Sequence, residues 1–333
     1  MGGRKMKHLQ SVAIKKIDVK DLTTDMVPGL MKVEEVFVGT EMEWEEKQYM
    51  LENTVSCFFA FENSDCALMP QIIGEAYAID QLEEEEGDAE DKADDEHFFG
   101  ILERCKKENG AYIYSLGIVP EWEGMDISKR LLMNLLIDLK AKGYKKAFIH
   151  SKEGASSHLA QFFGGMFIEK RANWYQTGKT YLLYEIPLTS FLMLNVQPYK
   201  QETDYDCADA CLDAMFDVMG WGTETLNHPK TSIPGDGATP HMIMSALVAA
   251  GFKPTSLNSV VQLFMALEKN RPSMILTISP GYYEGHYMVV MGHSATDVYV
   301  LDVFLGRIGR MSFEELERVW WNNISKDKFG ITF

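Results

Sequence analysis

Cys207 is placed where a sulfur nucleophile could work. It opens an apolar, helix-patterned run (Ala210, Cys211, Ala214, Met215, Val218), with Asp204 and Asp206 just ahead as cap-type residues. A thiol in the first turn of a helix feels the positive end of the backbone dipole, which favours the thiolate, the form that attacks. Gln201 lies shortly upstream; downstream, His286 opens GHYMVVMG and Asp302 stands within DVYVLDVFLG. An imidazole can take the thiol proton and a carboxylate can fix its tautomer, while an upstream amide can donate to the oxyanion of an attacked carbonyl. The predicted set is Cys207 as nucleophile, His286 as general acid and base, Asp302 as orienting carboxylate and Gln201 as oxyanion donor with the Cys207 amide. Taken alone, Cys207 reads more plainly as a small buried apolar residue. The His and Asp on later strands tip the reading toward chemistry.

The elements that must carry these groups are a helix starting at Cys207 and strands at Ser273–Ser279, Gly285–Gly292 and Asp297–Gly306. Helix-borne Cys, then strand-borne His, then strand-borne Asp is a papain-type order. Residues 196–321 resemble the bacteriocin-processing, double-glycine leader peptidases, a papain-like family. The likeness rests on four blocks in order: Gln201 with Asp206-Cys207 and ADAC; NRPSMILTI; His286-Tyr287-Met288-Val289-Val290; and Asp302, Gly306, Ser312–Leu316 and Trp320. Ala208 stands where the family commonly has Gly, and Val303 where it usually has Pro. The resemblance implies a papain-like cysteine peptidase domain over 196–333 and a peptide or protein substrate with small residues such as Gly-Gly before the cut. The same thioester can also pass its acyl group to an amine instead of water.

The first half alternates elements of both kinds. Strands are expected at Val12–Val19, Val55–Phe61, Ile72–Ile79, Phe98–Cys105, Ala111–Val119, Ala147–His150, Phe167–Trp174 and Thr180–Ile186. Helical periodicity runs through Met26–Leu51, broken at Gly29 and Gly39, then through Ile127–Lys142 and Ser157–Phe163. This is an α/β (α+β) pattern, a mixed sheet with helices against it. The order of elements, with LGIVPEWEGMDISKRLL at Leu116–Leu132, resembles the GNAT acetyltransferases over residues 10–188. In that family a loop and the following helix N-terminus grip the pyrophosphate of acetyl-CoA. The corresponding positions here are Glu123, Gly124, Asp126 and Ser128. Carboxylates at Glu123 and Asp126 oppose a pyrophosphate, and Asp126 adds a Cβ where backbone should approach the ligand. That family often has a Tyr, four residues, then Phe, the Tyr acting as general acid; here the pair is Phe162 and Phe167, and the hydroxyl is missing. The expectation is a GNAT-like domain without a cofactor, serving recognition or docking, with N-acetylation or non-catalytic binding as alternatives.

The net charge of −17 over 333 residues is concentrated. Glu83–Glu96 holds ten acids against one Lys, which gives −9 and leaves −8 for the rest. A balance of that kind argues against nucleic-acid binding. The run reads as a solvated loop, with a protein-docking role as the sharper option. No apolar stretch approaches the roughly 18 residues a membrane helix needs. Five dispersed cysteines fit a reducing, cytoplasmic setting, and no Cys/His spacing suits zinc, so no metal or cofactor is expected. Cys211 is read as core beneath Cys207, and His293 as facing away from His286. His241 is read as a helix-start residue, and His150 and His158 as bystanders. Met242, Leu247, Val248 and Phe252, then Val261, Phe264, Met265 and Leu267, are taken as core faces of helices; Tyr282, Tyr283 and Trp221 are read as packing aromatics, with lining of a substrate cleft as the sharper option. The apolar stretch Pro187–Pro198 suits packed rather than tethered domains.

Overall fold

The computed structural model describes residues 12–38, 43–62, 71–82, 92–174, 178–221, 229–278, 285–320 and 327–333. Its contacts divide the chain into two units, Met1–Thr189 and Ser190–Phe333. The acidic stretch 83–91 and the aromatics Tyr282 and Tyr283 lie outside the described residues.

In the first unit the strands are β1 (Val12–Lys16), β2 (Thr54–Glu62), β3 (Gln71–Ile79), β4 (Gly110–Ile118), β5 (Lys146–Lys152), β6 (Met166–Ala172) and β7 (Thr180–Pro187). Among the described residues they form one mixed sheet in the order β1-β2-β3-β4-β5-β7-β6. All neighbours are antiparallel except β4 and β5. The helices are α1 (Val27–Val38), α2 (Trp44–Glu52), α3 (Lys92–Glu108), α4 (Ile127–Ala141) and α5 (Ala155–Phe162). Helix α4 packs across β2, β3 and β4, α1 on β3 and β4, and α3 on β4 and β5. Phe59, Tyr77, Phe148, Leu131 and Leu135 are buried in this unit.

Three expectations are corrected here. Phe98–Cys105, expected as a strand, lies inside α3. Phe98, Ile101, Leu102 and Cys105 are buried at helical spacing, a period that overrides the short apolar run. The last residues of the acidic run, 92–96, are not loop: they form the start of that helix, where Asp94 and Asp95 complement its dipole. Gly29 is no break. It sits within α1, where a Cβ would come within 3.0 Å of the Ile72 side chain, so its lack of a side chain lets the helix approach β3.

A bulge shapes the middle of the sheet. Tyr77 pairs with Ser115 and Ala78 with Ile113, so Tyr114 is an extra residue in β4. Pairing of β4 with β5 stops at Ile113 and Ile149, although both strands continue. Beyond that point β4 is bonded to β3 alone.

The second unit contains β8 (Leu192–Met193), α6 (Cys207–Val218), α7 (Pro240–Ala249), β9 (Thr255–Leu257), α8 (Val260–Glu268), β10 (Ser273–Ile278), β11 (Gly285–His293), β12 (Asp297–Asp302), β13 (Arg307–Ser312), α9 (Phe313–Val319) and β14 (Gly330–Thr332). Its sheet runs β13-β12-β11-β10-β14-β9, with β8 paired to the far end of β11. Helix α6 lies against β10 and β11. Sequence signals explain the helix starts: Thr239, Ser259 and Ser312 accept hydrogen bonds from Met242, Gln262 and Glu315 amides as N-caps. The apolar stretch after Thr189 is absorbed within this unit. Phe191 rests on Tyr299, and Leu194 N–H donates to Met291 O. A Cβ on Gly292 would meet Leu192 O at 2.4 Å, so only glycine lets β8 pair there. Val248, Val261 and Met265 are exposed, contrary to the core faces expected of them. The buried residues of those helices are Ile243, Leu247, Leu263, Ala266 and Leu267.

Candidate active site

Cys207 is the first residue of α6 and is half-buried. His286 stands at the start of β11, and Asp302 at the end of β12, opposite Met288. His286 is therefore two residues from the direct partner of Asp302, on the same face, a diagonal pair whose side chains can meet. They do: His286 Nε2 and Asp302 Oδ1 are 2.9 Å apart. Cys207 lies near enough to the same imidazole to act on its protonation, favouring the charged ring. His286 and Asp302 are thus in direct contact, and Cys207 is close enough to influence the ring.

The electrostatics follow from this contact. Burial alone would lower the His286 pKa, but hydrogen bonds and charge from Asp302 and Cys207 outweigh it and raise it to about 9. Burial likewise resists ionisation of Asp302, yet the His286 hydrogen bond, its charge and the Leu305 and Phe304 amides hold the carboxyl below its ordinary value. Asp302 Oδ1 accepts from Phe304 N at 3.0 Å and Leu305 N at 3.4 Å, closing the turn to β13 that Gly306 completes at φ +65°. Beneath Cys207, Cys211 is fully buried, and burial pushes its thiol well up. It is not a competing nucleophile.

Gln201 is held by two contacts. Its N–H donates to Val303 O at 2.8 Å, next to Asp302, and its Nε2 donates to Thr203 O at 2.6 Å. Its Oε1 has no partner. One side-chain amide N–H is therefore spent on the local turn. Asp206 is the N-cap residue of α6 but makes no side-chain cap; its carboxylate turns back to accept from the Glu202 and Thr203 amides. The expected cap is replaced by a closed 202–206 turn. Asp209, in the first turn of α6, is buried and accepts from Thr231 N at 2.7 Å and Thr231 Oγ1 at 2.8 Å. It pins the loop ahead of α7 to α6, a role that no local sequence signal reveals.

The remaining sequence candidates fall elsewhere. Trp221 packs with Phe216, Phe252 and Phe333 in an aromatic cluster. His293 stacks on Phe264 at 4.3 Å. A bulge between Val290 and Gly292 lies between His286 and His293, so strand alternation alone does not set the direction of His293. His241 is an exposed residue near the start of α7. In the first unit, Glu123 is exposed and ends a short turn after Pro120, and Gly124 has φ +77°. Asp126 has φ +56°, precedes α4 without capping it, and pairs with Lys129 at 3.2 Å. The helix start with Ser128 thus carries its own carboxylate. Phe162 lies under Lys129 Nζ, and Phe167 is exposed.

No protein-family model matches the chain, and no characterised protein matches it in sequence. Solved structures resemble part of it. The Escherichia coli ribosomal-protein-S18-alanine N-acetyltransferase is 13% identical, with a TM-score of 0.36 over 53% of this chain and 94% of that one. Polyamine N-acetyltransferase of Drosophila melanogaster is 16% identical, TM-score 0.38, over 53% and 99% of the two chains. A GNAT family acetyltransferase from Elizabethkingia anophelis with acetyl-CoA bound is 12% identical, TM-score 0.35, over 53% and 98%. Each likeness extends over about half of this chain. Among the described residues, no helix is long and apolar enough to cross a membrane.

Proposed function

We propose that the unit Ser190–Phe333 is a thiol-dependent peptidase or acyl-transfer catalyst acting on a peptide. The observation that carries this is the imidazole of His286, held by Asp302 at 2.9 Å and influenced by the half-buried thiol of Cys207 at the start of α6. Cys207 sulfur attacks the carbonyl carbon; a C–S bond forms, the C–N bond breaks, and His286 hands its proton to the leaving amine. Water, deprotonated by His286, then cleaves the thioester and releases the acid; an amine in place of water gives transfer. Substrates with small residues before the cut are the first to test, on the resemblance to leader peptidases. The test is incubation with such peptides. Wild type should give products and a mass increment on Cys207, and Cys207→Ala neither. Undiminished cleavage by Cys207→Ala refutes the reading.

A second reading, acetyl transfer by the first unit, is favoured by the departure of β4 from β5 at the Tyr114 bulge, which opens a sheet gap, and by the acetyltransferases among the similar structures. The Asp126 carboxylate at the α4 start weighs against it. Acetyl-CoA raising the melting temperature in proportion to its concentration supports this reading, and no shift at saturating ligand excludes it.

A further inference from the structure

Near the end of the β4–β5 pairing stands a set of groups unused by either reading. His150 is the first β5 residue after pairing with β4 ends. Across the sheet both His150 and Glu169 pair with Leu183 of β7, so the two side chains stand on one face with β7 between them. Helix α3, which packs on β4 and β5, contributes His97. One nitrogen from each ring and a Glu169 carboxylate oxygen lie within 4.8 Å of one another.

We propose that His97, His150 and Glu169 form a binding site for a borderline divalent transition-metal ion, with Zn²⁺ as the natural occupant. Two imidazoles and one carboxylate are a donor set that Zn²⁺ takes, with a fourth position left for water or another ligand. His150 is 9% exposed, and its Nε2 has no hydrogen-bond partner, nor does His97 Nε2 although Glu169 Oε1 is 3.1 Å away. A buried nitrogen aimed at other donors, with nothing to bond, is a group in want of a ligand. Tyr112 Oη sits 2.9 Å from His150 Nδ1. With Nδ1–H donating to that hydroxyl, the tautomer presents a free Nε2, the second contact a metal-bound imidazole ordinarily makes.

The dimensions allow it. Zinc bonds of about 2.1 Å at tetrahedral angles set ligand atoms about 3.4 Å apart. The His97–Glu169 pair is already at 3.1 Å, and the rest must close by at most about 1.4 Å, within rotamer adjustment. The Glu169 side chain is 44% exposed, which gives an ion an entry side and puts the open position toward solvent. Arg171 bonds Asp94 at 2.9 Å and Ala93 O at 2.9 Å, so α3 and β6 are already fastened next to the site.

The experiment uses the full chain, stripped with chelator, in a Cys207→Ser background so that the thiol cannot bind metal. Titration with Zn²⁺ by calorimetry, and with Co²⁺ by visible absorption, should show one equivalent and a four-coordinate nitrogen/oxygen spectrum. His97→Gln and Glu169→Gln, both partly exposed and checked for folding by circular dichroism, should each weaken binding at least about 100-fold, and Tyr112→Phe about 10- to 100-fold. His158→Gln, on a different element, should leave it unchanged. Binding that disappears in the Cys207→Ser background, that persists in His97→Gln and Glu169→Gln, or that is absent throughout overturns the proposal. Activity at Cys207 is not read out, so this result and that of the peptide test stand apart.

Discussion

Replacing Asp302 by Ala should return His286 toward an ordinary imidazole, and the size of the effect follows from the geometry. In the folded chain the His286 pKa lies at about 9 against an ordinary 6.5. A difference of that size corresponds to about 3 kcal/mol favouring the charged ring. Most of the stabilising charge within 3 Å is Asp302, and an opposite charge at contact distance is worth about 1–3 pH units. Asp302→Ala should therefore bring the midpoint to about 6–8. Stability should follow. A folded pKa raised above the unfolded one contributes fully below 6.5 and is lost as pH rises through 9, so the wild-type chain should weaken over that interval. Asp302→Ala should lose most of that slope. The assay is an NMR titration of the ring Cε1–H with ¹³C-labelled histidine, His286 identified by His286→Gln, together with urea unfolding at pH 6 and pH 9.5. An unchanged midpoint in Asp302→Ala would refute the claim that Asp302 holds the imidazolium. So would a wild-type midpoint near 6.5.

Three further outcomes are expected. Asp209→Ala leaves the Thr231 N–H buried without its carboxylate partner and should cost about 2–4 kcal/mol in urea unfolding; Asp209→Asn, which keeps an acceptor, should recover part of it. Lys47→Met strands Glu75, fully buried and bonded to Lys47 Nζ at 2.6 Å, and should cost about 3–5 kcal/mol, while Lys47→Met with Glu75→Gln should lose less. Gln201→Ala should reduce kcat of peptide cleavage about 10²–10³-fold with KM little moved, as for loss of an oxyanion donor; unchanged kcat removes Gln201 from that role.

How much of this was legible in the chain depends on distance along it. The strands bearing His286 and Asp302 announce themselves because apolar β-branched runs end at turn residues, and His286 and Asp302 mark where each strand meets solvent. Their pairing needed only an antiparallel neighbour. The helix at Cys207 was readable for the same local reason, but the direction of Asp206 was not, since a carboxylate at that position can reach forward into the helix or back into the turn. Helix α3 shows the cost of reading a short apolar run by composition: Phe98, Ile101, Leu102 and Cys105 carry the helical period that FFGIL conceals. Val248 and Met265 are apolar yet exposed, because an all-apolar helix does not say which side the sheet takes. His97, His150 and Glu169 come from a helix and two non-adjacent strands, so no spacing in the sequence could have joined them.

The proposal for the second unit rests on a sulfur activated by one neighbouring imidazole, and the rate of alkylation at residue 207 reads that directly. At pH 6, iodoacetamide should modify Cys207 at least about tenfold faster in wild type than in His286→Ala, as expected for loss of a contact cation, with Cys57, Cys105 and Cys211 protected by burial in both. Equal rates at Cys207 in the two proteins, followed by peptide mass spectrometry, would contradict it.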